Sequence, residues 1–177
     1  VWCDTTYSFH GGERHSLAAV LATVASYQTR HVCVTGGEPL VQRGCLPLLT
    51  ALCDAGHSVS LETSGALDVS AVDPRVRKVL DLKCPGSGES ARNRYENLAH
   101  LQPHDQIKFV IADRADYEWA RAQCQTRDLP ALCQVLYSPV ADQLPAATLV
   151  EWILADRLPV RFQLQLHKLL WGNVAGR

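Results

Sequence analysis

The chain has 177 residues and not one methionine. An encoded protein starts with methionine, so a chain opening at Val1 is expected to have lost its beginning or to have been processed. A dominant charge is missing too: 17 Lys+Arg against 18 Asp+Glu leave a formal charge of −1. That excludes a basic, tail-like nucleic-acid binder, which needs a strong positive excess. No segment approaches the ~20 apolar residues of a membrane-spanning helix. The opening Val1-Trp2-Cys3-Asp4-Thr5-Thr6-Tyr7 has neither the basic start nor the apolar run of a signal peptide. The charge balance and the lack of an apolar span mean that direct contact with nucleic acid or membrane is not expected, and no linker or low-complexity stretch divides the chain.

What is present describes a folded domain. With 47% hydrophobic and 20% charged residues, the chain lacks the low hydrophobicity and high net charge of disorder. Its length suits a single domain with one core. The seven cysteines, Cys3, Cys33, Cys45, Cys53, Cys84, Cys124 and Cys133, are odd in number and scattered. A disulfide framework is therefore not expected, and the reducing cytoplasm is the expected location. Cys33, Cys45, Cys53, Cys124 and Cys133 read as small buried hydrophobes.

Two patterns alternate along the chain. Apolar, β-branched runs at 31–35, 58–62, 78–83, 106–111, 133–138 and 161–167 read as strands. Helix-like stretches lie at 16–28, 46–55, 91–99, 116–125 and 146–155, with Ser16 and Asp116 as N-caps and Gly56 as a left-handed terminator. Strand–helix–strand units at this spacing predict an α/β domain with a parallel sheet. In such folds the loops after the strands converge on one rim, where chemistry is placed.

The residues at those strand ends are unusually polar and glycine-rich. They read Thr35-Gly36-Gly37-Glu38-Pro39, Glu62-Thr63-Ser64-Gly65, Asp81-Leu82-Lys83-Cys84-Pro85-Gly86-Ser87-Gly88, Ser138-Pro139 and His167-Lys168. Gly36 and Gly37 let a ligand approach the backbone closely. Glu38 beside them suits an amino group better than a phosphate; the alternative is a left-handed turn with a solvated acid. Val59 and Leu61 face one way in the second strand, Ser60 and Glu62 the other. Glu62 is thus catalytic, substrate-binding or paired to a lysine. Lys83 and Lys108 sit near the ends of apolar strands, where lysine is uncommon unless paired. Each can hold a carboxylate, form a Schiff base if desolvated, or pair with Glu62 or Asp81. His167 is either a satisfied core residue or a substrate contact at the rim.

Together these segments resemble the radical S-adenosylmethionine enzymes, and within them the 7-carboxy-7-deazaguanine synthase family of the queuosine pathway. The resemblance rests on Trp2-Cys3-Asp4-Thr5, the Gly36-Gly37-Glu38 motif, Glu62-Thr63-Ser64-Gly65, Asp81-Leu82-Lys83 with Pro85-Gly86-Ser87-Gly88-Glu89, Ile107-Lys108-Phe109-Val110, and Leu166-His167-Lys168 with Trp171-Gly172. It spans nearly the whole chain. The Gly-Gly-Glu motif alone points to the superfamily, while the Cys-Asp-Thr, Asp-Leu-Lys and His-Lys segments narrow it.

The resemblance implies an incomplete (β/α) barrel of the TIM-like type, as one domain over 1–177 without its first strand. It also implies a homodimer. The cofactors implied are a [4Fe–4S] cluster, S-adenosyl-L-methionine and Mg²⁺. Cluster irons are held by cysteine thiolates. Cys3 corresponds to the last of three, its Cys-x-x-Cys partner falls just before Val1, and the first lies further upstream. With one of three ligands, the chain as it stands is expected to be inactive alone. Gly36, Gly37, Glu38, Ser64, Asp81, Leu82, Lys83, Ser138, Pro139 and Val140 would line S-adenosylmethionine. Thr5 would bind Mg²⁺, a hard ion that prefers oxygen. Thr35, Glu62 and His167 would face the substrate.

The reaction implied is carbon–nitrogen lysis of 6-carboxy-5,6,7,8-tetrahydropterin to 7-carboxy-7-deazaguanine with loss of ammonia. A 5′-deoxyadenosyl radical from S-adenosylmethionine initiates it, with an electron donor such as flavodoxin. The product is a precursor for tRNA modification. Some relatives read Ser-Pro-Lys where this chain has Asp81-Leu82-Lys83, and only 29 residues separate Thr5 from Thr35, a compact loop. Two other readings are an activating enzyme that makes a radical on a partner protein, and a cluster-free, inactive α/β fragment that binds a small molecule.

Overall fold

The computed structural model describes residues 12–172 and 174, except for the side chain of His167. The first described helix, α1 (Leu17–Ser26), starts where the Ser16 side chain accepts a hydrogen bond from the Ala19 N–H at 3.2 Å, the expected cap. After strand β1 (His31–Val34) comes α2 (Cys45–Asp54). This helix ends at Gly56, with φ +85°. There Gly56 N–H donates to Cys53 O at 3.0 Å and His57 N–H to Leu52 O at 3.1 Å. That double closure is a Schellman motif, and it turns the chain directly into β2 (Ser58–Thr63).

The remaining strands are β3 (Arg77–Asp81), β4 (Gln106–Ile111), β5 (Gln134–Pro139) and β6 (Arg161–Phe162). Between them lie α3 (Arg114–Thr126), α4 (Leu129–Leu132) and α5 (Ala146–Ala155), and α6 (Leu166–Trp171) follows β6. All six strands are parallel, in the order β1-β2-β3-β4-β5-β6. Each strand lies beside its successor in sequence. That is the order of a (β/α) barrel wall, whereas a doubly wound sheet reverses direction midway. Among the described residues β1 and β6 do not pair with each other, so the wall is open. The α/β parallel architecture expected from the sequence is present.

Strand periodicity sorts the side chains onto two faces. Val59, Leu61, Leu80, Ile107, Phe109, Ile111, Val135 and Tyr137 join Leu49, Tyr117 and Leu149 from the helices in one buried core. The opposite, inner face carries Ser60, Glu62, Asp81, Lys108 and Ser138. Val79, Leu136 and Ser138 lie on that inner face yet are only 4%, 2% and 2% exposed. Such burial is expected when a sheet curls and its concave side chains pack against one another.

Four local readings need correction. The stretch 91–99 is not an α-helix but forms two 3₁₀ turns, Ser90–Arg92 and Tyr95–His100. The buried Asn97 is the reason: its amide donates to Gly65 O and Leu67 O and accepts from Val69 N–H, tying that segment to the β2 loop. Asp116 does not cap α3; Asp113 does, accepting from the Asp116 N–H at 2.9 Å. The last strand ends at Phe162, so His167 lies in α6 rather than at a strand end. Cys33 is exposed, whereas Cys45, Cys124 and Cys133 are buried and Cys53 is half-buried. The alternation of β1 explains Cys33: Val32 and Val34 pack on the core, leaving Cys33 on the other face.

Candidate active site

The C-terminal ends of β1 to β5 gather most of the residues singled out in the sequence. At the end of β1, Thr35, Gly36 and Gly37 are exposed. Gly36 has φ +153°, and a Cβ built there would meet nothing within 4 Å. The next residue, Glu38, is neither a solvated acid nor a free acceptor. Its carboxylate accepts from Leu40 N–H at 3.1 Å, Thr63 Oγ1 at 2.9 Å and Ser64 N–H at 2.8 Å, and also from Ser64 Oγ. A carboxylate has about four acceptor positions, so its capacity is taken up by the turn after β1 and by the β2 loop. Glu38 therefore fixes the Gly36–Gly37 backbone against Ser64, and that backbone is what the loop presents outward.

At the end of β2, Glu62 points to the inner face. Its Oε2 lies 3.6 Å from Lys108 Nζ on β4, with side-chain exposures of 34% and 18% respectively. This is an ion pair without a direct hydrogen bond, which leaves both groups capacity for a ligand. Cys33 belongs to the same cluster. Partial burial pushes its thiol above the ordinary value, a hydrogen bond with Ser60 works against this, and the Glu62 charge adds to it. Pairing is thus the outcome for both lysines: Lys83 Nζ lies 2.6 Å from Asp81 Oδ2.

The β3 end is held by a backbone mimic. Asn93 accepts from Lys83 N–H at 2.8 Å and donates to Lys83 O at 2.9 Å. The buried Asp116 carboxylate accepts from Gly86 N–H at 2.8 Å and Ala112 N–H at 3.2 Å. It pins the loop that follows Lys83 to the start of α3. Neither role was foreseen; the one signal was a carboxylate and an amide flanking a Gly/Ser-rich loop, and Asp116 was read as a cap instead. Gly65 is tightly placed, with φ +74° and a virtual Cβ 3.1 Å from Asp81 O.

The remaining predicted residues divide. Leu82 is fully buried in the helix-side core, so only its backbone can meet a rim ligand. Ser138 lies on the inner face beside Val110, and Pro139 and Val140 are buried at the end of β5. His167 is in α6, and its side chain lies outside the described residues, as do Cys3 and Thr5.

Two buried acceptors at this rim lack partners among the described residues: Asp81 Oδ1 and Gln163 Oε1. Buried polar atoms in native proteins are nearly always hydrogen-bonded, so these two fit a site completed by a ligand with N–H or O–H donors. The residue expected to hold a metal cluster, Cys3, lies outside the described residues. Among the described residues no three His, Cys, Asp or Glu side chains could hold a metal ion. Cys84 also illustrates why the core thiols are unsuitable. Burial above all, then the Asp116 and Asp81 charges, push it far from the thiolate form that binds iron.

No family model matches the chain, but relatives and folds do. It is 43% identical over 174 residues to the 7-carboxy-7-deazaguanine synthase of Chlorobaculum tepidum, covering 97% of this chain and 79% of that protein. The 7-carboxy-7-deazaguanine synthase of Koribacter versatilis is 40% identical over 185 residues, covering 96% and 82%. That of Methanospirillum hungatei is 32% identical, covering 96% and 70%. Among solved structures, Streptococcus suis SuiB bound to S-adenosylmethionine superposes with a TM-score of 0.62 at 13% identity. It is matched over 93% of this chain, which spans 45% of SuiB. SuiB bound to its precursor peptide SuiA gives a TM-score of 0.64 at 12% identity. The SuiB likeness places the fold; the sequence relatives, matched along nearly all of this chain, show that it belongs to the 7-carboxy-7-deazaguanine synthase family.

Proposed function

We propose that the protein is a radical S-adenosylmethionine lyase that converts 6-carboxy-5,6,7,8-tetrahydropterin to 7-carboxy-7-deazaguanine with loss of ammonia, supplying the queuosine pathway in the cytoplasm. The observation that carries this reading is the 43% identity to a 7-carboxy-7-deazaguanine synthase over 97% of the chain. The polar inner rim supports it, because the same strands offer an open glycine backbone, acceptors and two lysines, Lys83 and Lys108.

The chain's own residues take distinct parts. Gly36 and Gly37, held by Glu38, present backbone to the methionine amino group. Asp81, Lys83 and Ser138, with the backbone of Leu82, Pro139 and Val140, line the remainder of S-adenosyl-L-methionine, and Ser64 anchors Glu38 beneath it. Thr35, Glu62 and His167 face the pterin. Lys108, 3.6 Å from Glu62, holds that carboxylate oriented toward substrate N–H groups. Cys3 would supply one thiolate to a [4Fe–4S] cluster, and Thr5 would supply an oxygen to Mg²⁺. When bound, the cluster and S-adenosylmethionine supply one-electron radical chemistry, while the protein orients reactants and excludes water. A homodimer served by a flavodoxin-like electron donor completes the reading.

The test is the protein expressed from its complete reading frame, loaded with iron and sulfide without oxygen. The pterin should be converted to 7-carboxy-7-deazaguanine and ammonia, and Glu62→Ala should lower that conversion at least about 100-fold with S-adenosylmethionine binding retained. No conversion by the wild type, or full activity in Glu62→Ala, contradicts the assignment.

A further inference from the structure

Gln163 follows the short strand β6, and its N–H donates to Tyr137 O at 2.9 Å, continuing the β5–β6 ladder. Register then fixes its face. Leu136 pairs with Arg161 and Tyr137 with Phe162, so Gln163 stands beside Ser138. The Phe162 ring packs on the helix-side core, and alternation places the Gln163 side chain on the inner face. There its Oε1 is buried without a hydrogen-bond partner among the described residues. Burying an amide oxygen without a partner is costly, and a fold keeps such an atom where something else satisfies it. The rim's lysines are already engaged, Lys83 with Asp81 and Lys108 with Glu62, and Asp81 Oδ1 is likewise without a partner among the described residues.

We propose that Gln163 is a ligand-binding residue whose side-chain oxygen accepts a hydrogen bond from the exocyclic amino group of a fused nitrogen heterocycle. This rests on the function proposed above, which offers two such rings: the adenine of S-adenosylmethionine and the aminopterin of the substrate. Both present an N–H donor of the same chemistry, and their binding can be measured separately. A donor-bearing ring gives Gln163 a role that apolar packing does not require. An uncommitted acceptor at a ligand rim also makes its own prediction: the ligand-free protein gains nothing from it.

The reconstituted protein, wild type and Gln163→Met, is titrated calorimetrically with S-adenosylhomocysteine and with 6-carboxypterin, and the ligand-free melting temperature is recorded. Methionine keeps the length and removes the acceptor. The expected result is a melting temperature equal to or above wild type, with binding of one ring weakened at least about tenfold. Which ring weakens identifies the source of the amino group. Gln163→Asn, which keeps the acceptor at a shorter reach, should recover part of that loss. Wild-type binding of both rings that Gln163→Met leaves unchanged overturns this proposal alone. A lowered ligand-free melting temperature with unchanged binding assigns the amide to packing and overturns it too. Wild-type protein that binds neither ring overturns it together with the proposed function.

Discussion

At the scale of single residues, the rim is built from groups that constrain one another. Gly65 is held at φ +74° with Asp81 O only 3.1 Å from where a Cβ would lie. Alanine there adds left-handed strain and a backbone contact, so Gly65→Ala should cost about 2–3 kcal/mol in urea denaturation. Because the contact is with Asp81, it should also weaken S-adenosylmethionine binding. Lys78 and Asp105 are a different case, an ion pair away from the rim on the helix-side face. Its Nζ and Oδ2 are 2.8 Å apart, with side-chain exposures of 3% and 0%. Asp105 also accepts from the Lys78 and Gln102 backbone N–H groups, at 2.7 Å and 2.8 Å. Asp105→Ala therefore strands three donors and should cost about 3–5 kcal/mol. Lys78→Met leaves two of those bonds intact and should cost about half as much. Equal losses in the two variants would contradict that hierarchy.

At the scale of elements, α3 and α5 are joined by a polar clasp over an aromatic contact. The single Tyr117 hydroxyl proton lies within reach of Asp156 Oδ2 at 2.7 Å and Trp152 O at 2.9 Å, and Arg121 Nη1 also reaches Asp156 Oδ2 at 2.7 Å. The Tyr117 hydrogen bond foremost, then Arg121, holds the Asp156 carboxyl below its ordinary value. A depressed carboxyl contributes stability above its unfolded value, and that contribution is lost as pH falls through the folded one. The melting-temperature gap between wild type and Asp156→Asn should thus be present at about pH 6 and shrink toward about pH 3. A gap that widens on acidification contradicts the clasp. Elements also show where local pattern stopped being informative. The α2 terminator at Gly56 was legible because glycine after a helix has one common use. The 3₁₀ turns at 90–100 were not, because Asn97 forms them through contacts with residues about 30 positions away. The α3 cap moved by three residues because Asp116 is drawn inward to bind Gly86 N–H.

At the scale of the whole molecule, the strand–helix rhythm made the parallel sheet and its sequential order legible, since each unit carries its own periodicity. The polar strand ends were legible for the same reason: Thr35, Glu62, Asp81 and Ser138 follow apolar runs that set their position. What could not be read was how rim residues divide their labour. Glu38 turned inward to Thr63 and Ser64, Leu82 entered the core, and Gln163 took an inner position beyond a two-residue strand that looked longer. Such outcomes depend on contacts between distant segments, which no local pattern encodes. The measurement that tests the central claim most directly is mass spectrometry of products from the anaerobically reconstituted protein given S-adenosylmethionine, a reductant and 6-carboxy-5,6,7,8-tetrahydropterin. The account predicts 7-carboxy-7-deazaguanine together with released ammonia. Cleavage of S-adenosylmethionine with the pterin recovered unchanged would contradict it.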